Sequence, residues 1–258
     1  MDGRPCVRER IRRGEPVYGT MVFELFTPGL PAILAAAGFD FVVLDTEHSG
    51  VGIETLKTMI ACARGLPIEV YVRVPEKSYA AVATVLDAGA QGIMVPMLET
   101  AEQARDLVEW VRYRPEGKRG CAFGMAHDGY RARDVVAYMA EANRRNLVIG
   151  LIETRKGIEN AEAICATPGF DVAWLGHFDL TNDMGITAQF EHPEFWAAVD
   201  RLVAAATRHG KALGGLDGNL AYLAKLRAKG FKVLGYGMDI AVLREAWAQG
   251  LAGLKALG

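Results

Sequence analysis

The sequence predicts an α/β protein, a single (β/α)8 TIM barrel occupying residues 1–258. Three observations predict it. Eight short runs rich in Val, Ile and Leu alternate with longer stretches of helical pattern, and such near-continuous apolar runs suit parallel strands buried on both faces. A glycine stop, a short turn and a strand recur four times, in AAGFDFVVLD, DAGAQGIMVP, TPGFDVAWLG and AKGFKVLGYG. The other home of alternating elements is a doubly wound open sheet, which usually carries a glycine-rich loop after its first strand. Neither G-x-G-x-x-G nor G-x-x-x-x-G-K-[ST] occurs, and the length is that of one barrel.

The elements follow in order. The first strand is expected at 17–23 (VYGTMVF); Pro28-Gly29-Leu30 then opens a helix through PAILAAAG that stops at Gly38. The second strand is 41–45 (FVVLD) and the third 69–74 (EVYVRV). Ser78 caps SYAAVATVLDAG, which ends at Gly89 before the fourth strand, 92–96 (GIMVP). Thr100 caps TAEQARDLVEWVRY, and Gln103 completes a capping box. Strands five and six are 147–152 (LVIGLI) and 171–176 (DVAWLG), with a helix from Thr154 between them. His192-Pro193 opens PEFWAAVDRLVAAATRHG, ending at Gly210 before strand seven, 211–216 (KALGGL). Asn219 caps NLAYLAKLRAKG before strand eight, 231–236 (FKVLGY), and AVLREAWAQGLAGLKAL reads as a last amphipathic helix. Residues 114–133 break the alternation: they form either a functional or mobile loop, or a loop with a short extra strand at RGCAF.

Composition narrows the class. Hydrophobic residues make up 51% and charged residues 23%, enough to bury a core and too apolar for a disordered chain. With a net charge of -2 and no basic stripe, a nucleic-acid partner is not expected. The opening MDGRPCVRERIRRGEP is not a secretory signal, and no later run is apolar for long enough to span a bilayer. The cysteines Cys6, Cys62, Cys121 and Cys165 are scattered without C-x-x-C spacing, which fits reduced thiols in a cytoplasm.

In such a barrel the site lies where strands end and βα loops begin. Those positions carry Asp45-Thr46-Glu47-His48, Arg73, Pro96-Met97, Glu153-Thr154-Arg155, Gly176-His177-Phe178-Asp179 and Asp217. Carboxylates, a histidine and an arginine converging on one rim suit metal binding and acid/base work. Each also has a structural reading. Thr154 or Asp179 could only cap a helix, Arg73 could be an interior ion-pair partner, and His48 a satisfied loop histidine. Their joint placement favours the functional reading.

The segments FVVLDTEHS, VYVRVP, VLDAGAQGIMVPMLETAEQA, YRPEGKRG, LIETRKGIENAEAI and GHFDLTNDMG resemble, in order, the class II pyruvate aldolases of the HpcH/HpaI aldolase/citrate lyase type, which include the 4-hydroxy-2-oxoheptanedioate and 2-keto-3-deoxyglucarate aldolases. The resemblance runs from about residue 17 to about 240. It implies that Glu153 and Asp179 bind one divalent cation, a hard oxygen site suited to Mg2+, Mn2+ or Co2+. It implies that Asp45 orients metal-bound water, that His48 is the acid/base group with Asp87 as its partner, and that Arg73 stabilises an enolate. The substrates would be a 2-oxo acid (pyruvate or hydroxypyruvate) and an aldehyde. Backbone N–H groups from Gly176 to Asp179 would receive the substrate carboxylate, and Arg119 in the 114–133 loop would hold the far end of the aldehyde, with His127 and Asp128 nearby. It further implies a homo-oligomer, typically a hexamer; the C-terminal helix is then either exchanged or packed between subunits, or the eighth barrel helix of its own subunit.

Two departures stand out. Many members have Gln where Leu151 stands, and Gly-Pro-Ala where this chain has Gly176-His177-Phe178. The bulkier His177 and Phe178 would reshape the substrate pocket, and His177 is either a second proton-transfer group or a packing residue. Three other functions are open: a CoA-ester lyase of the citrate lyase β or malyl-CoA type, a non-catalytic 2-oxo-acid sensor, and a Schiff-base aldolase. The last lacks its lysine, since Lys211 and Lys232 sit at strand starts.

Overall fold

A computed structural model describes residues 5–131 and 134–257 of the chain. Eight parallel strands close into a barrel in sequence order: β1 (Val17–Val22), β2 (Phe41–Asp45), β3 (Glu69–Arg73), β4 (Gly92–Val95), β5 (Leu147–Ile152), β6 (Val172–Leu175), β7 (Ala212–Asp217) and β8 (Val233–Met238). The helices are α1 (Val7–Arg12), α2 (Leu30–Ala36), α3 (Ile53–Cys62), α4 (Tyr79–Ala88), α5 (Ala101–Val111), α6 (Val135–Arg145), α7 (Arg155–Glu159), α8 (Ala161–Cys165), α9 (His177–Asp183), α10 (Pro193–Arg208), α11 (Leu220–Ala228) and α12 (Asp239–Lys255). All eight strands therefore stand where the apolar runs placed them, within two residues at each end.

The expected caps form. Ser78 accepts from the Ala81 N–H at 3.2 Å, and Thr100 and Gln103 close their capping box. Asn219 receives the first N–H groups of α11. Gly89 ends α4 in the left-handed conformation, φ 110°, which a side chain would strain. Thr154 accepts from the Gly157 N–H at 2.9 Å and so caps α7.

Two cores result. One fills the space between sheet and helices and includes Leu56, Leu86, Ile93, Phe170 and Phe195. The other fills the barrel interior with Phe41, Tyr71, Met94, Trp174 and their aliphatic neighbours. Glycines on the facing strands make room for these rings. A Cβ at Gly19 would lie 2.3 Å from the Phe41 ring, and one at Gly214 would lie 2.3 Å from the Trp174 ring. The helix α1 belongs to the interior core through Val7 and Ile11, which meet the starts of the strands and plug the barrel floor. Its Arg8 is buried and reaches Asp171 at 2.8 Å, and Asp171 also holds Arg112 at 3.2 Å.

The segment after α5 differs from both expectations. RGCAF forms no strand, and the described part of 114–133 holds one short 3-10 turn, Ala126–Asp128. It packs at the barrel floor, where it lines a cavity of about 430 Å³ with residues that precede β3, β4 and β5, among them Leu66, Ala90 and Asn146. In α12 no residue is buried, and Trp247, Leu251 and Leu254 are exposed. Among the described residues its side-chain hydrogen bonds to the barrel come from its first residue, where Asp239 accepts the N–H groups of Phe23 and Leu25.

Candidate active site

Strand alternation builds the site. Successive side chains point to opposite faces of a strand. Phe41 and Val43 fill the barrel, so Asp45 also points inward, above them. Arg73 stands above Tyr71 for the same reason, and Glu153 above Leu151. The β2–β3 register sets Asp45 beside Arg73. All three inward polar groups thus crown the apolar plug at the C-terminal rim.

Arg73 is the hub. It is 7% exposed, and its Nε donates to Asp45 while Nη1 lies 3.1 Å from Glu47 Oε2. Its Nη2 is buried and has no hydrogen-bond partner among the described residues. Asp45, fully buried, also accepts the His48 N–H at 2.8 Å. Its carboxylate thereby fixes both the arginine and the loop that carries Glu47 and His48.

Glu153 is 3% exposed. Its Oε1 accepts the Met97 N–H at 2.6 Å, and Met97 has a φ of 54°, a left-handed backbone that a non-glycine residue rarely adopts. Gly176 faces the carboxylate so closely that an added Cβ would lie 2.2 Å from Oε2. Burial pushes the Glu153 carboxyl up to about 7; the Met97 hydrogen bond opposes this, and the charges of Asp179 and Glu47 add to it. Burial likewise raises Glu47, with Arg73 and His48 pulling it back and Asp45 and Asp179 pushing it up. Glu47, Glu153 and Asp179 therefore share one electrostatic neighbourhood, with Arg73 as its buried cation. Asp179 lies on the first turn of α9 and is exposed to the rim. Among the described residues no group of three or more His, Cys, Asp or Glu is gathered as a metal cage.

This arrangement fits a divalent cation bound by two protein carboxylates. Glu153 is a buried acid whose Oε2 takes no hydrogen bond among the described residues, and the missing Cβ at Gly176 leaves room for it. The donor set is hard oxygen throughout.

The sequence-derived candidates divide into two groups. Asp45, Arg73, Glu153, Asp179, Gly176, His177 and Phe178 share the rim, and His48 stands at its edge with a side chain 61% exposed, its Nε2 3.7 Å from Glu47. Asp87 and Arg119 do not join them. Asp87 lies in the last turn of α4, towards the floor, where Arg119 donates to it at 2.8 Å. Arg119 is buried there, with the Tyr113 ring 4.6 Å away. The loop starts from the end of a helix rather than of a strand, so within one chain it cannot meet the substrate at the opposite rim. His127 and Asp128 serve the loop itself: the former contacts Tyr138 and Ala122, the latter accepts from Tyr130. The Gly176 N–H is also unavailable to a substrate, because it donates to Ile152. Glu47, to which the sequence assigns a place at the strand end but no role, also stands at the rim and pairs with Arg73.

His177 turns inward and is 7% exposed, packed against Phe178, Phe190 and Tyr222, whereas Phe178 is 57% exposed. The His177 Nε2 lies 3.1 Å from Asp217 Oδ2, close but off the axis of a hydrogen bond.

A buried arginine among carboxylates stands at the C-terminal rim of a parallel barrel, the end at which barrel enzymes carry their active sites. The comparisons then place it. The HpcH/HpaI aldolase/citrate lyase family matches residues 20–246. A hydroxypyruvate/pyruvate aldolase from Chromohalobacter salexigens is 37% identical over 234 residues, covering 90% of this chain and 91% of its own. A 5-keto-4-deoxy-D-glucarate aldolase from Klebsiella pneumoniae subsp. pneumoniae is 35% identical, covering 86% of each. The crystal structure of an HpcH/HpaI aldolase from Desulfitobacterium hafniense DCB-2 superposes with a TM-score of 0.93 at 28% identity, over 98% of this chain and 97% of that one. The chain belongs to the HpcH/HpaI aldolase/citrate lyase family. It is an aldolase, a carbon–carbon lyase.

Proposed function

We propose that the protein cleaves 4-hydroxy-2-oxo acids reversibly to pyruvate or hydroxypyruvate and an aldehyde, with a divalent cation (Mg2+, Mn2+ or Co2+) held by Glu153 and Asp179. The observation that carries this reading is the buried, unpartnered Nη2 of Arg73 beside the buried Glu153 carboxyl. Such a donor costs about 1–3 kcal/mol to leave unsatisfied, and a substrate oxygen would satisfy it. The names of the relatives agree with these substrates.

When bound, the cation supplies Lewis-acid stabilisation to the carboxylate and keto oxygens of the 2-oxo acid. The chain supplies the rest. Arg73 donates to the keto oxygen as enolate charge develops there, and Asp45 fixes the guanidinium in that direction. Met97 N–H holds Glu153 with one oxygen facing the substrate. His48 moves the proton at the aldol hydroxyl, with Glu47 as the nearby carboxylate in the same chain. Asp87 would reach His48 only from a second copy. Phe178, exposed beside Asp179, would border the aldehyde.

The assembly reading goes with it. The uncovered Trp247, Leu251 and Leu254 of α12 suit burial against another copy, in a homo-oligomer of hexameric type with α12 exchanged between subunits. No helix of the described residues is long and apolar enough to cross a membrane, which agrees with a cytoplasmic enzyme.

The test is to incubate metal-loaded protein with pyruvate or hydroxypyruvate and a panel of aldehydes. Carbon–carbon product and metal-dependent exchange of the C3 protons into deuterated water are expected. Absence of both would overturn the proposal.

A further inference from the structure

The turn that carries Asp179 is tied to β5 by the Gly176 N–H, which donates to Ile152 at 3.3 Å, and to the core by the buried Leu180, but its start has no capping side chain. Its first residue, Gly176, is the N-cap of α9 and has no side chain with which to bond the first-turn N–H groups. Its backbone, φ −93° and ψ 85°, lies outside the helical and extended regions. The glycine is imposed by Glu153, which leaves no room for a Cβ, so the usual capping side chains are barred. Thr181 donates to the carbonyls of His177 and Phe178 at 2.9 Å. Those bonds are internal to α9, so they shape the helix without placing it on the barrel. Asp179 itself has no hydrogen-bond or ion-pair partner among the described residues, and its direction follows the backbone beneath it.

On the other side, towards β7, the His177 side chain contacts the neighbouring strand. The β6–β7 ladder pairs Val172 with Ala212, Ala173 with Leu213 and Trp174 with Gly214, and then stops. Continued in the same register, residue 177 faces residue 217. The His177–Asp217 contact, 3.1 Å, falls at that position. Asp217 is itself fixed, since its Oδ1 accepts the Asn219 N–H at 2.6 Å and its Oδ2 is left for His177. The imidazole cannot swing away, because Phe178, Phe190 and Tyr222 lie with ring centroids 4.8, 4.9 and 5.1 Å from it.

We propose that His177 and Asp217 form a brace that extends the β6–β7 pairing beyond the last ladder bond and positions Asp179 for the cation. Asp217 is a positioning residue acting through His177. Proline at the first position of a helix fixes φ by itself, whereas histidine leaves φ free and needs an outside anchor. On this account the His-Phe departure and the acid at the end of β7 are one feature. The proposal rests on Glu153 and Asp179 as the cation ligands.

The test uses a cycle of His177→Phe, which keeps the ring and removes Nε2, with Asp217→Asn and the double variant. Mn2+ binding to the metal-free protein is followed by electron paramagnetic resonance. Hydrogen exchange of the amides of residues 177–183 is measured with no metal present. Each single variant should weaken Mn2+ binding about tenfold, as loss of a supporting partner commonly does, and the double variant should be no worse than either single. Exchange in the turn should quicken about tenfold in all three. A lost negative charge acting directly on the cation would instead make Asp217→Asn equally damaging when His177→Phe is already present, and that additivity would overturn the brace. Unchanged exchange in the turn would overturn it too. If wild-type protein binds no Mn2+, the ligand reading fails, and the exchange data still decide whether the brace exists.

Discussion

Gly176→Ala is the most direct probe of the site. The φ there, −93°, is not in the left-handed region that only glycine favours, so the added methyl group and what it meets dominate the effect. That methyl would lie 2.2 Å from Glu153 Oε2 and 2.7 Å from its Cβ. The carboxylate must retreat by about 1 Å to reach ordinary contact. Its other oxygen is bound to the Met97 N–H at 2.6 Å, and a shift of that size breaks the bond. Overpacking and a lost charge-assisted hydrogen bond each cost about 1–3 kcal/mol, so metal-free protein should lose about 2–6 kcal/mol in urea denaturation. A misplacement of about 1 Å at a reacting centre costs roughly 100-fold in rate, and kcat/KM should fall by that order while Mn2+ affinity falls in step. Gly218→Ala, just past the end of β7 as Gly176 is past the end of β6, but with nothing within 4 Å of the added methyl, is the control and should change neither. Turnover and Mn2+ affinity of Gly176→Ala within about threefold of wild type would refute the steric argument.

Four further outcomes are expected. In EDTA the Glu153 carboxyl titrates near 7 in the folded protein against 4.5 in the ordinary case, so the folded state holds this proton more tightly. Its stabilising contribution is full below about pH 4.5 and is lost as pH rises through 7, at most about 3 kcal/mol. Urea midpoints at pH 5 and pH 8 should therefore diverge more in wild type than in Glu153→Gln, and equal divergence would count against the assignment. Arg73→Lys keeps a charge but cannot serve Asp45, Glu47 and a substrate oxygen at once; kcat/KM should fall about 100-fold with the fold intact by circular dichroism. Asp171→Ala leaves Arg8 and Arg112 buried without their carboxylate, and denaturant titration should register a loss of about 3–5 kcal/mol. Trp247→Asp with Leu251→Asp places charge on the uncovered face of α12; sedimentation should report a smaller assembly, and an unchanged mass would exclude this face from the interface.

What could be read in the sequence follows from how locally each feature is encoded. The strands were legible because burial on both faces leaves an unbroken apolar run, and the caps because one side chain and one N–H decide them. The inward direction of Asp45, Arg73 and Glu153 was legible in principle too, since each stands two residues beyond a barrel-filling residue on its own strand. The helices α1, α3 and α6 were passed over for different reasons. The first is a short charged segment whose Val7 and Ile11 matter only once a barrel floor exists to receive them. The other two lack a side-chain start signal or follow a loop that hid their beginning: Gly52 precedes α3 with no cap bond, and Asp134 caps α6 at the end of the irregular 114–133 segment.

Within one chain Arg119 and Asp87 lie at the end of the barrel opposite the rim, and chain order already implies it. A segment that follows α5 and precedes β5 is an αβ connection, and in a barrel every αβ connection lies at the end opposite the site. Asp87, eight residues into a helix that runs from rim to floor, is carried the same way, and Arg119 meets it there. What no pattern could give is the reciprocal constraint between Gly176 and Glu153. A glycine before a helix reads as a turn, and a glutamate after a strand reads as a cap or a ligand. Their meaning appears only when two adjacent strands bring a missing Cβ against a carboxylate. The same reasoning explains His177. On its own it is a bulky substitution in a tight turn; with Asp217 at the matching register of β7 it becomes the anchor that this uncapped turn requires.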